Sequence, residues 1–274
     1  MAAVVGGPLQ VGISVSPAMH NAAFQALELD WLYVAIGVEP EEGPRAVRTL
    51  AETGFVGMNV TMPHKVSVVA ALDRLEGEAL TVGAVNTIKV IDRELIGFNT
   101  DGPGLVRFLK EDVGATIVGA NVLLIGAGGS ARAIVASLSG AGATSITSVV
   151  RNLSSGQALA PFAGSATFEV AALPASAPNV EKADLIINAT PLGQRGEIVP
   201  ISYDSMRPEA LVVDLVYRPA ITPMVQAARD RGAIAHSGLG MLVRQAALSF
   251  EIWTGRVAPL DVMSAAAVAA LKRG

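Results

Sequence analysis

The sequence contains no cysteine at all, so disulfides and thiolate nucleophiles are excluded and a cytoplasmic location is the expectation. Aromatic residues are scarce at 4% and charged residues make up only 16%. The formal charge of −4 leaves no basic stripe to neutralise phosphates, so no nucleic-acid partner is expected. Histidine occurs three times, as His20, His64 and His236, with no zinc-ligand spacing. No metal is therefore expected, and each histidine reads as packing or loop polarity. Apolar runs are broken by Gly, Pro or charge well short of the roughly 20 residues that cross a bilayer. The start, Met1-Ala2-Ala3-Val4-Val5-Gly6-Gly7, lacks the basic segment of a secretory signal, and none is expected.

What is abundant is small and apolar. Hydrophobic residues are 51% of the 274 and there are 28 glycines, the composition of a compact α/β protein long enough for two cores. Neither an internal repeat nor a low-complexity linker interrupts it.

One stretch concentrates chemistry. Asn59-Val60-Thr61-Met62-Pro63-His64-Lys65 follows the apolar run Phe55-Val56-Gly57-Met58, and Pro63 suits the first turn of a helix, so the seven residues read as a strand end turning into a helix. Asn59 and Thr61 alternate along the strand and face one side, with Lys65 able to swing over the same point. A polar strand end with a solvated lysine is the other reading of this heptad.

Around it the chain alternates strand and helix. Ala2 to Val5 reads as a strand, and Ser16 as the cap of a helix that begins at Pro17. Ser14 and Ser16 point the same way in an extended segment, which suits a small polyol or carboxylate, although capping alone also explains Ser16. Trp31–Val38 and Phe55–Thr61 read as strands around a helix over Glu41–Glu52, and helices are expected over Lys65–Ala71 and Asp73–Leu80. Ala84–Ile91 and Glu94–Phe98, separated by Asp92-Arg93, form a hairpin that brings Asn86 to the same edge as Asn99-Thr100-Asp101-Gly102. Asp101 then starts a helix toward Glu111, a place that favours an ionised carboxylate.

From Asn121 the pattern changes. Val122-Leu123-Leu124-Ile125 is a buried-type strand followed at once by Gly126-Ala127-Gly128-Gly129-Ser130-Ala131 and a helix to Ser139. Gly126, Gly128 and Ala131 satisfy the dinucleotide-binding spacing in its strand-turn-helix setting, where backbone amides approach a pyrophosphate; a tight turn that binds nothing is the competing reading. The next strand, Ser145–Val150, ends at Arg151-Asn152, where an acidic residue would select NAD. Arg151 instead suits a 2′-phosphate, which favours NADP and leaves NAD as the alternative. Strands at Thr167–Val170, Ala183–Asn188 and Leu211–Leu215 complete a doubly wound unit, with Asn188-Ala189-Thr190 and Asp214-Leu215-Val216-Tyr217 at strand ends where ligands bind. Helices over Gly238–Trp253 and Pro259–Lys272 are surplus to that unit and are expected to return to the first domain.

The blocks Ser14-x-Ser16-Pro17-x-x-His20-Asn21, Asn59-Val60-Thr61-x-Pro63-His64-Lys65, Gly83-Ala84-Val85-Asn86-Thr87, Gly97-x-Asn99-Thr100-Asp101-Gly102, the glycine turn, Asn188-Ala189-Thr190 and Gly238-x-x-Met241-Leu242-x-x-Gln245 together resemble the shikimate dehydrogenase family, in family order. The resemblance implies an α/β fold of two domains: residues 1–103 plus 238–274 as the substrate domain, with a mainly parallel sheet, and residues 104–237 as a Rossmann NADP domain. It implies NADP-dependent reduction of 3-dehydroshikimate to shikimate in the route to aromatic amino acids, with Lys65 and Asp101 as the catalytic pair. Ser14 and Ser16 would hold the substrate carboxylate, Thr61, Asn86 and Gln245 its ring hydroxyls, with Asn59 and Tyr217 also in the substrate site. Coenzyme contacts are expected at Gly126, Ala127, Gly128, Gly129, Ser130, Ala131, Arg151, Asn152, Asn188, Ala189, Thr190, Leu215, Gly238 and Met241.

Three positions depart from the family pattern. Ile13 stands where many members carry His, Arg151 is shifted one place from the family's Asn-Arg-Thr, and Pro191-Leu192 follows Asn188-Ala189-Thr190 where Ser is commoner. The alternatives weighed are a quinate or aminoshikimate dehydrogenase using NAD or both coenzymes, a methylene-folate dehydrogenase, and a non-catalytic ligand sensor. The small-molecule substrate is the partner expected, with the chain a monomer or homodimer.

Overall fold

The computed structural model describes residues 1–273, which divide into two compact units: 1–104 with 242–273, and Leu105–Met241. In the first unit the chain runs β1 (Ala2–Gly6), α1 (Pro8–Gly12), α2 (Ser16–Ala26), β2 (Tyr33–Gly37), α3 (Gly43–Glu52) and β3 (Gly57–Val60). A 3₁₀ turn (Ser67–Ala71), β4 (Arg74–Leu75), α4 (Glu78–Val82), β5 (Thr87–Ile91) and β6 (Glu94–Phe98) follow, and α5 (Asp101–Arg107) ends in a π turn (Phe108–Asp112).

The six strands lie in the order β2-β1-β3-β5-β6-β4. β1 pairs in parallel with β2 and β3, β5 runs antiparallel between β3 and β6, and β4 is parallel to β6. Side chains alternate across the sheet. Val5, Met58, Val60 and Ile88 meet Val47 and Ala51 of α3 in one core layer. An aromatic cluster also belongs to this unit, with His20 stacked on Tyr33 at 4.4 Å, Phe24 beside Phe250, and Trp253 against both His20 and Tyr33. Trp253 lies close against the start of β3. A Cβ at Gly57 would stand 2.6 Å from its indole, so only glycine allows the approach, and Trp253 Nε1 donates to Ile88 O at 2.9 Å.

In the second unit come β7 (Asn121–Ile125), α6 (Gly129–Gly140), β8 (Ser145–Val150), α7 (Leu153–Gln157), β9 (Thr167–Ala172), α8 (Ala177–Glu181), β10 (Leu185–Asn188), β11 (Leu211–Asp214), α9 (Pro223–Asp230) and β12 (Ile234–Ser237). Then α10 (Leu239–Thr254) and α11 (Leu260–Arg273) close the chain, α11 packing on α2. The second sheet is parallel throughout, in the order β12-β11-β10-β7-β8-β9. Val122, Leu124, Leu185, Ile187 and Val213 face α6, while Leu123, Ile125, Ile186 and Val212 face α8 and α9. Burial on both faces is why these strands read as unbroken apolar runs.

Four expectations need correction. Asp73–Leu80 is not a helix: both Asp73 oxygens bind the Arg48 guanidinium at 2.8 and 2.9 Å, and Leu95 N donates to Oδ2 at 2.7 Å. Those bonds pin the segment to β6, Arg74–Leu75 is extended, and Gly77 at φ 58° turns the chain into α4. Lys65–Ala71 is no α-helix either. Lys65 O accepts from Val85 N at 2.7 Å, so Val69 N bonds back to Val66 O and the turn is 3₁₀ from Ser67. Helix α2 starts at Ser16 itself, and it is the Ser14 hydroxyl that accepts from Ser16 N, at 3.2 Å. Finally, the edge strand β12 was absent from the sequence reading, because Ile234-Ala235-His236-Ser237 has no apolar run and Ile234 is exposed. Among the described residues no helix is long and apolar enough to cross a membrane.

Candidate active site

The hairpin β5–β6 and the start of α5 build the centre of the first unit's site. Lys65 Nζ donates to Asp101 Oδ2 at 2.5 Å, with the two side chains only 12% and 7% exposed. Asp101 Oδ1 accepts from Asn86 Nδ2 at 2.8 Å. Its backbone N donates to Asn99 Oδ1 at 3.0 Å, and Asn99 Nδ2 is anchored on Ala84 O, so the helix begins where the carboxylate is needed. A carboxylate at a helix N-terminus beside an ammonium is favoured twice, by the helix dipole and by the ion pair.

The orientation of Asn86 is fixed by chemistry that cannot be reversed. Thr100 N, a donor only, points at Asn86 Oδ1 at 2.8 Å, and Thr87 Oγ1 donates to the same oxygen at 3.0 Å. Nδ2 must then face Asp101, Thr100 Oγ1 and, at 3.2 Å, Gln245 Oε1. Gln245, on α10, spends its own amide on Leu242 O at 2.9 Å. The structure therefore brings Lys65, Asp101, Asn86 and Gln245 together.

Asn59 sits elsewhere. It is buried, its Oδ1 accepts from Tyr33 Oη at 2.7 Å, and its Nδ2 reaches Asn86 O, Thr87 Oγ1 and Ser249 Oγ at 3.2, 3.2 and 2.9 Å. All its capacity is used inside the protein, so it braces β3 against β5 and α10. Ser249, which the sequence reading missed, is fully buried, lies 2.7 Å from Thr87 Oγ1 and donates to Gln245 O. Its signal was the i, i+4 spacing from Gln245, which puts both on one helix face. Thr61 is partly exposed just past β3, with its N bonded to Val5 O, and Ser14 is partly exposed beside buried Ser16.

In the second unit the glycine turn follows the central strand β7. Gly126 has φ 108°, and a Cβ there would come within 2.8 Å of Thr190, so a left-handed, side-chain-free residue is required. Gly128 precedes the first turn of the twelve-residue α6, without a side-chain cap and with open space where a Cβ would be. Ala131 is fully buried, which lets α6 lie close on the sheet. Ala127 and Ser130 are half-buried in the same turn. An exposed glycine at the start of a twelve-residue helix is the setting in which backbone amides approach an anion.

Arg151 is exposed at the end of β8, and the neighbouring Asn152 caps α7 by accepting from Ser154 N at 3.0 Å. Asn188 is fully buried: its Oδ1 accepts from Thr190 N and Oγ1, and its Nδ2 donates to Leu192 O and to Asp214 Oδ1. Asn188 thus shapes the loop that carries Ala189 and Thr190. Leu215 and Met241 pack into the core under α6, and Gly238, at the end of β12, lies against the Leu215 carbonyl. Tyr217 is half-buried, and burial raises its phenol above the ordinary range. Among the described residues no group of acidic or histidine side chains could hold a metal ion.

Known proteins match this chain from end to end. Residues 4–88 match the shikimate dehydrogenase substrate binding domain, 109–234 the shikimate / quinate 5-dehydrogenase family, and 238–268 the shikimate 5′-dehydrogenase C-terminal domain. Shikimate dehydrogenase (NADP(+)) of Geobacter sulfurreducens is 41% identical over 98% of this chain and 96% of its own length. Shikimate 5-dehydrogenase of Thermus thermophilus, crystallised with NADP(H) and shikimate, superposes with TM-score 0.89 at 35% identity over 98% of this chain and 99% of that one. The 5-ketofructose reductase of a Gluconobacter strain has TM-score 0.87 at 32% identity, covering 98% and 97%. The chain belongs to the shikimate dehydrogenase family.

Proposed function

We propose that the protein is an NADP-dependent shikimate dehydrogenase that reversibly reduces 3-dehydroshikimate to shikimate. The observation that carries this reading is the Lys65–Asp101 pair at 2.5 Å with Asn86 on the second carboxylate oxygen. Reducing a ketone by hydride leaves an alkoxide that must be protonated as it forms. Lys65 supplies an ammonium at a fixed place, and Asp101 keeps it there. In the oxidation direction the same pair receives the hydroxyl proton. NADPH, when held by the second unit, would supply the hydride.

Ser14 and Ser16 are the groups for the substrate carboxylate, and Thr61, Asn86 and Gln245 those for its ring hydroxyls. Asn86 Oδ1 is held by Thr100 N and Thr87 Oγ1, so a substrate hydroxyl would take the place of Thr100 Oγ1 or Gln245 Oε1 on Nδ2. The turn Gly126–Ala131 fits a pyrophosphate, since a Cβ is excluded at 126 and open space lies over 128. Arg151, with no acidic residue beside it, fits the 2′-phosphate that distinguishes NADP from NAD. The substrate belongs to the first unit and the coenzyme to the second.

Steady-state oxidation of shikimate with NADP tests the reading, with quinate, NAD and the reduction of 5-ketofructose as the competing assays. Shikimate with NADP should give the highest kcat/KM, and a larger value for quinate or 5-ketofructose would reassign the substrate. In Lys65→Ala, kcat should drop by ~10²–10⁴-fold, with shikimate binding largely kept. An unchanged kcat would remove Lys65 from the chemistry.

A further inference from the structure

We propose that Asp214 is a positioning residue for the nicotinamide half of the coenzyme, its carboxylate locking together the two loops that leave β10 and β11. The inference rests on the coenzyme reading above. Asp214 ends an otherwise apolar strand and is fully buried. Its Oδ1 accepts from Asn188 Nδ2 at 2.8 Å and from Val216 N at 3.1 Å, while Oδ2 accepts from Thr222 Oγ1 at 2.5 Å.

Those two oxygens do different things. Oδ2 serves the fold, because Thr222 is the N-cap of α9, its hydroxyl accepting from Val225 N at 3.2 Å. Oδ1 joins two loops: through Asn188 it holds Thr190 and Leu192, and through Val216 N it holds the segment that leads into Tyr217. A fully buried carboxylate is a costly way to end a strand, and burial raises its pKa. The cap on α9 alone would need one acceptor; the second oxygen has no helix to serve.

The strand order says which part of the coenzyme these loops meet. The sheet reverses direction of growth at β7, where the glycine turn sits, with β8 on one side and β10 and β11 on the other. In a doubly wound sheet the pyrophosphate lies at that switch point, with one nucleotide on each side. Arg151, at the end of β8, marks the 2′-phosphate side and so the adenosine. Asn188 and Asp214 end β10 and β11 on the opposite side, which leaves them the nicotinamide.

Two nucleotides separate this role from a general loss of structure: NADP, and 2′,5′-ADP, which carries the adenosine half alone. In Asp214→Ala the Kd for NADP should rise tenfold or more while that for 2′,5′-ADP stays within twofold of wild type. Asp214→Asn, which keeps one acceptor for Asn188 and Val216, should recover most of the NADP affinity and serves as the conservative variant. Thr222→Val, which removes the α9 cap and the bond to Oδ2 but leaves Oδ1 with Asn188 and Val216, should lower Tm and leave both affinities unchanged. Parallel weakening of both nucleotides in Asp214→Ala, or of NADP in Thr222→Val, would overturn the assignment, and so would an Asp214→Ala protein that binds NADP like wild type. A wild-type protein that bound no NADP would overturn the functional reading as well; wild-type binding with an indifferent Asp214→Ala would overturn this inference alone.

Discussion

The Lys65–Asp101 ion pair depends on one amide being the right way round. Asn86 Oδ1 faces the Thr100 N–H and its Nδ2 faces the Asp101 carboxylate, so the residue must offer an acceptor on one side and a donor on the other. Asn86→Asp keeps the shape and destroys that pattern, because its second oxygen would stand where Nδ2 now lies, 2.8 Å from Asp101. One of the two carboxyls must then take a proton or turn away. The expected result is a fall in kcat/KM for shikimate of ~10²-fold or more at pH 7, larger than for Asn86→Ala, which leaves a hole but no second charge. Steady-state kinetics on both variants checks it; an aspartate variant more active than the alanine one would mean that the amide does not orient the pair. Lys65, Asp101 and Asn86 could be picked out from the sequence because each stands in a block that resembles the family. Ser249 and the inward bonds of Asn59 could not. A serine among alanines on a helix carries no mark of its own, and whether an asparagine faces ligand or protein is decided by partners such as Tyr33, 26 positions away.

At the scale of elements, the hairpin that carries Asn86 to Asp101 is closed by Asp92-Arg93, both with positive φ, 49° and 69°. Ile91 pairs with Glu94, so the loop has two residues, a turn that favours Asn-Gly or Asp-Gly. Arg93 carries a backbone cost that glycine would not. Arg93→Gly should therefore stabilise the protein by about 0.5–1 kcal/mol, read as a higher denaturant midpoint, with kcat and KM unchanged. A lower midpoint would show that the arginine side chain, not the turn, governs this corner. The hairpin was readable in the sequence because two apolar runs flank a polar dipeptide. β4 and α4 were not, since the bonds that extend Arg74–Leu75 come from Arg48 and Leu95, more than 20 positions away on either side. The same holds for the 3₁₀ turn after Lys65, whose carbonyl is claimed by Val85.

For the molecule as a whole, the two parallel-rich sheets followed from the strand-helix alternation, but the aromatic cluster of the first unit did not, because its members come from both ends of the chain. At its centre His20 is fully buried, with the Asn59 side chain the polar group that partly offsets the cost of charging it. Burial lowers its pKa to about 3 from the ordinary 6.5. The folded chain therefore keeps His20 neutral where the unfolded chain takes up a proton. Its contribution to stability is fully present above pH 6.5 and is lost as pH falls from there toward 3, where the folded form is protonated too. Between pH 7 and pH 5 the loss should be on the order of 2 kcal/mol. Both tryptophans of the chain, Trp31 and Trp253, belong to the first unit, so their fluorescence follows the unfolding of the unit that contains His20. His236, whose pKa burial also lowers, lies in the second unit and is the same in wild type and in His20→Phe, so the difference between them reports His20. His20→Phe keeps a flat ring between Tyr33 and Trp253 and removes the titrating group. Urea midpoints at pH 7 and pH 5 should differ clearly in wild type and much less in the variant. An equal drop in both would assign the acid sensitivity to carboxylates rather than to this histidine.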